Sequence, residues 1–116
     1  MKLYHYTCQD RAELIDRDLT LKPGPDGVLW LTDLEHPYRE ALGLTSHSLS
    51  CDRTECGYVV DVPDQPGLQQ AAGVLTWRWI RSKVDPALRE GLESAPGVLP
   101  LHWWVSTVPL ACEKHR

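Results

Sequence analysis

Hydrophobic and polar positions alternate over short stretches of this chain, and proline and glycine clusters separate those stretches. Residues 2–7 alternate as a strand does, placing Leu3, His5 and Thr7 on one face and Tyr4 and Tyr6 on the other. Asp10 followed by Glu13 matches a capping box, and Ala12, Leu14 and Ile15 give the helix behind it an apolar side until it ends near Arg17 or Asp18. The cluster Pro23-Gly24-Pro25-Asp26-Gly27 reverses the chain, because proline fixes φ and glycine supplies positive φ, and the run Val28-Leu29-Trp30-Leu31-Thr32 then reads as a second strand. His36-Pro37 opens a helix of about two turns, with Tyr38, Ala41 and Leu42 on one side and Gly43 at its end.

Residues 44–57 hold few apolar anchors and read as an ordered polar loop. Tyr58-Val59-Val60-Asp61-Val62 is the next strand, broken by a turn cluster at residues 63–67, and residues 74–80, with tryptophans at 77 and 79, read as another. Asp85-Pro86 is a cap followed by proline in the first helical position; Leu88 and Leu92 lie one turn apart, and Ala95-Pro96-Gly97 closes that helix. Strands over residues 101–106 and 108–112 complete the chain, with Pro109 suited to a sheet edge. Strands interrupted by short helices, without regular βαβ spacing, predict an α+β fold: one domain over residues 1–116, with a mostly antiparallel sheet, whole or split, and two or three short helices packed outside it.

Composition narrows the function classes. With 116 residues, 42% of them hydrophobic, the chain has the size of one domain. A formal charge of −4 argues against an extended nucleic-acid face, which needs clustered lysine and arginine, although a local arginine still grips one phosphate. No stretch reaches the roughly 18 apolar residues of a membrane span, and Met1 to Tyr6 lacks a signal-peptide run, so the expectation is a cytoplasmic protein without a membrane partner. In that compartment Cys8, Cys51, Cys56 and Cys112 are expected as thiols. Five tryptophans and four tyrosines without a phenylalanine give the aromatic surface many N–H and O–H groups, which suit pocket walls as well as cores.

Five segments join a polar head to an aromatic or apolar strand: Tyr4-His5-Tyr6-Thr7, Trp30-Leu31-Thr32-Asp33, Arg39-Glu40, Cys51-Asp52-Arg53-Thr54 and His102-Trp103-Trp104-Val105-Ser106. Their convergence on one cleft would suit a planar, polar ligand. Against it stands the plainer reading in which His5 and His102 are half-buried histidines bonded to backbone carbonyls, and Asp33 and Asp52 cap turns. His47, Cys51 and Cys56 lie within ten residues of one another, but their spacing lacks the C-x2-C knuckle of zinc sites, so no metal is expected. Cys51 beside Arg53 offers a nucleophile whose activation Asp52 partly cancels.

With Tyr4-His5-Tyr6-Thr7, Val28-Leu29-Trp30-Leu31-Thr32-Asp33, Cys-Asp-Arg and His-Trp-Trp-Val-Ser, the chain resembles a group of small bacterial and phage proteins, a resemblance that spans nearly its whole length and implies no activity. Two shorter motifs, the His-Tyr-Thr of the first strand and a strand ending in Thr32, resemble ADP-ribosyltransferases with a His-Tyr-Glu triad. That resemblance implies NAD as ligand, with His5 on the nicotinamide ribose and Trp30 or Tyr38 against the nicotinamide. Tyr6, Thr7, Arg39 and Arg53 would complete the binding set, and His5, Thr32, Asp33 and His102 the catalytic one. The chain departs from the triad in its glutamate: Glu90 and Glu93 fall on a predicted helix and Glu113 in the tail, leaving His102 nearest the expected place. The competing expectation is a non-enzymatic bacterial or phage module that binds and inhibits a host protein through exposed tryptophans; a transferase fold that has kept nucleotide binding alone is the third.

Overall fold

The computed structural model describes residues 1–25, 27–36 and 54–115. Its elements in chain order are strand β1 (Lys2–Thr7), helix α1 (Gln9–Asp16), β2 (Thr20–Leu21), β3 (Leu29–Thr32), β4 (Cys56–Asp61), α2 (Pro66–Ala71), β5 (Val74–Thr76), α3 (Trp77–Ile80), a 3-10 turn Arg81–Lys83, α4 (Pro86–Glu93), a second 3-10 turn Pro100–His102, then β6 (Trp103–Ser106), β7 (Leu110–Ala111) and β8 (Glu113–Lys114). Six strands form one antiparallel sheet in the order β5-β6-β3-β1-β4-β8, and β2 pairs with β7 in a small second sheet. The fold is α+β, as the alternation predicts.

The sheet is nearly two sheets. β1 pairs with β4 along its whole length, from Lys2↔Asp61 to Thr7↔Cys56, and β3 pairs with β6 from Leu29↔Ser106 to Thr32↔Trp103. Between these halves the ladder among the described residues is the single rung Tyr4↔Thr32. Beyond that rung, toward Thr7 and Leu29, no further ladder pair joins β1 and β3 among the described residues.

Both faces are covered. Leu3, Leu29, Leu31, Tyr58, Val60, Val74 and Trp104 share one face, where they pack with Ala12 of α1, Leu21 of β2 and Cys112. On the opposite face Trp30, Trp103 and Val105 meet Trp77 of α3: the Trp30–Trp77, Trp77–Trp103 and Trp30–Trp103 ring centroids are 5.4, 5.7 and 6.2 Å apart. Tilted and edge-on pairs of this kind add about 0.5–1.5 kcal/mol each beyond the area they bury.

Several local expectations are corrected. The run at residues 74–80 is a strand for three residues and then a helix, because the Thr76 hydroxyl accepts the Trp79 N–H at 3.2 Å and caps α3. Trp77 and Trp79 then fall on opposite sides of that helix, 2% and 46% exposed. The capping box at Asp10 and Glu13 does not form: α1 starts at Gln9 behind Cys8, Glu55 just ahead of the neighbouring strand β4 accepts the Gln9 N–H at 3.2 Å, and Leu14 faces solvent. The turn cluster at residues 63–67 leads into α2 with Pro66 in its first turn. Cys56 and Gly57 belong to β4 rather than a loop, and Glu113 lies on β8 rather than in a tail.

The expectation of four thiols also fails. Cys8 is disulfide-bonded, while Cys56 and Cys112 are free. Disulfide formation depends on which Cβ atoms the fold brings within reach, which composition does not encode. The predicted helix from His36-Pro37 to Gly43 and most of the polar loop behind it lie outside the described residues. Among the described residues no helix is long and apolar enough to cross a membrane.

Candidate functional site

Strand parity sorts the predicted site residues. His5 and Thr7 of β1 project from the core-packing face, and Asp33 and His102 continue the β3–β6 ladder on that face through the Asp33 N–H donated to the His102 carbonyl at 3.4 Å. Tyr6, Trp30 and Thr32 project from the other face. The Nδ1–H of His5 donates to the Trp30 carbonyl at 2.8 Å, next to the Tyr4↔Thr32 rung, which is the bond to a backbone carbonyl that the plainer reading expects of this histidine. A carbonyl only accepts, so this bond fixes the tautomer and leaves Nε2 as the acceptor nitrogen of neutral His5.

At the end of β3 the chain is held tightly. The Thr32 hydroxyl accepts the Leu34 N–H at 3.1 Å, closing a turn that aims Asp33 back across the sheet. Asp33 accepts His102 Nδ1–H at 2.6 Å on one carboxylate oxygen and Trp104 Nε1–H at 3.4 Å on the other. The His102 and Asp33 side chains are 40% and 29% exposed, so the pair sits at the surface end of the sheet rather than in the core. Of the five segments singled out from sequence, two thus meet side chain to side chain.

The remaining predicted residues divide. Tyr6 donates its hydroxyl toward the carbonyls of Leu34, at 3.0 Å, and Glu35, and its ring lies parallel to that of Tyr4 with centroids 6.2 Å apart. Thr7 is buried. The Trp30 ring is packed between Trp77 and Trp103. Arg39, Arg53, Tyr38, Cys51, Asp52 and His47 lie outside the described residues. Among the described residues no group of three or more His, Cys, Asp or Glu side chains is placed to hold a metal ion.

Three clusters were not legible as sites. His115 tilts over Tyr4 with centroids 4.8 Å apart and donates Nε2–H to the Glu35 carbonyl at 3.1 Å, so the chain end closes over the tyrosine face. Glu93 of α4 accepts from Arg81 through both nitrogens, at 2.9 and 2.7 Å, and from the Trp77 indole at 3.0 Å. The Arg81 guanidinium, and after it the indole, pulls the Glu93 carboxyl down to about 2. That ion pair borders an open cleft of about 420 Å³, lined by Arg81, Pro86, Arg89, Glu90, Glu93 and Ser94. Tyr58 donates to Asp16 at 2.6 Å beneath Lys114; burial first, and then the bond to Asp16, push its phenol up to about 12. Each joins residues from distant segments, so no short motif announces it.

No known protein family, curated protein or solved structure matches the chain. The geometry therefore carries the functional argument.

Proposed function

We propose that this chain is an ADP-ribosyltransferase-like domain that binds NAD at the surface end of β3 and β6, beside Asp33 and His102. The observation that supports the reading is the Asp33–His102 pair, a carboxylate and a histidine joined at 2.6 Å at the surface end of the sheet, on the same sheet face as the first-strand His5. Trp30 and Asp33 are three residues apart along a chain that rises ~3.3 Å per residue, so the His5 anchor and the Asp33–His102 pair are about 10 Å apart, with the buried Leu3 and Leu31 between them on that face. Glu113 supplies no substitute for the triad glutamate, because β8 lies at the opposite edge of the sheet from β6; the carboxylate at the β3–β6 end is Asp33.

A second reading is favoured by one specific feature. Trp79 on α3 and Leu99 and Leu101 beside the second 3-10 turn are 46, 47 and 79% exposed on elements in contact, an apolar surface of the kind protein partners use.

Calorimetric titration with NAD separates the two. The transferase reading predicts saturable binding that His5→Ala weakens at least about tenfold, roughly 1.4 kcal/mol, with the near-ultraviolet circular dichroism of the variant unchanged. Absence of saturable binding at millimolar NAD contradicts it and leaves the partner-binding module.

A further inference from the structure

Asp33 and His102 are built as an oriented pair. Both Asp33 oxygens are engaged, one by His102 Nδ1 at 2.6 Å and one by the Trp104 indole at 3.4 Å, and the backbones of the two residues are joined by the Asp33 N–H to His102 carbonyl bond. With Nδ1 turned to the carboxylate, His102 Nε2 faces away from it, and among the described residues no hydrogen bond ties it down. A pair this exposed contributes little to folding.

We infer that His102 is the general base of the transfer, with Asp33 as its positioning residue, and that the acceptor it serves is a neutral hydroxyl, water or an alcohol. The inference rests on the NAD-binding reading. Charge selects the acceptor class: a carboxylate, phosphate or thiolate attacks without a base, and an ammonium or guanidinium holds its proton too firmly for an imidazole to take. A hydroxyl adding to an oxocarbenium-like ribose carbon becomes strongly acidic as the bond forms, and an imidazole suffices for that proton.

The step balances. The acceptor oxygen bonds to ribose C1′ and passes its proton to His102 Nε2. The C1′–N bond breaks with its electron pair going to the pyridinium nitrogen, and neutral nicotinamide leaves. The imidazolium formed is stabilised by Asp33 until its proton returns to solvent.

The test uses the full chain with NAD, in water and in water containing methanol, following nicotinamide release, ADP-ribose and its methyl glycoside. The expected result is that His102→Ala lowers release about 100-fold while NAD affinity stays within about twofold, and that added imidazole restores part of the rate. Asp33→Asn should lower kcat with KM unchanged and with the near-ultraviolet circular dichroism and melting temperature of the native chain, which sets the loss apart from a loss of folding. The methyl glycoside identifies an alcohol acceptor and ADP-ribose alone identifies water; both support the hydroxyl class. Unchanged release in His102→Ala overturns the base role and leaves the NAD reading standing, as does NAD binding without release by the native chain. Absence of NAD binding overturns both.

Discussion

Tyr58 is fully buried, and its hydroxyl is held between an acid and an amine. Its phenol is raised from 10.0 to about 12, so the neutral form is the one the fold favours. That contribution is complete below pH 10 and is lost as pH rises from 10 toward 12. Absorbance titration should therefore show a tyrosine step near pH 12, and Tyr58→Phe should abolish it at a cost of about 1 kcal/mol in denaturant unfolding. Glu93 has the opposite sign. Its carboxyl is lowered from 4.5 to about 2 by Arg81 and Trp77, so the stability it adds is complete above pH 4.5 and lost as pH falls toward 2. The difference in melting temperature between the native chain and Glu93→Gln should hold steady above pH 4.5 and close on acidification. A constant gap down to pH 2 would show that Glu93 is not held by these donors.

At the scale of elements, the legible parts were those whose local pattern and tertiary setting agree. The β1 bounds, the β3 run and the Asp85-Pro86 start of α4 follow from alternation and capping chemistry in the sequence itself. The Trp77–Trp79 run misled because a residue spacing of two reads as a strand, although it also places two side chains on opposite sides of a helix. Thr76 was the missed signal. Thr76→Ala should cost about 1 kcal/mol and Thr76→Ser much less. β2 and β8 are two residues each and have no periodicity to detect, while β7 falls inside the strand expected over residues 108–112. Gly73 turns the chain from α2 into β5 at φ +84°, and a Cβ there would lie 2.8 Å from Val108 Cγ2. Gly73→Ala should destabilise by about 2 kcal/mol or more, from the left-handed backbone and the clash together, as read by urea unfolding; a neutral effect would mean that the segment carrying Val108 shifts freely.

For the whole molecule, the decisive feature is that two three-stranded halves, β5-β6-β3 and β1-β4-β8, meet at one rung. Alternation alone set which residues share a strand face, correctly for His5 with Thr7, whereas residues 101 and 102, expected on a strand, lie in the 3-10 turn ahead of β6. It could not say that the faces of β1 and β3 would oppose His5 to Trp30, because register between strands 25 residues apart is a tertiary property. The Asp33–His102 pair, 69 residues apart in sequence, was likewise present as two separate residues and became a pair through the β3–β6 register. The central claim is that the surface end of β3 and β6, at Asp33 and His102, is a ligand site for NAD. The most direct test is titration of the isotope-labelled protein with NAD, with backbone amide shifts followed residue by residue. The account predicts saturable shifts at residues 5–7, 30–33 and 102, lost in His5→Ala; no shifts at millimolar NAD, or shifts confined to the cleft at residues 81–94, would contradict it.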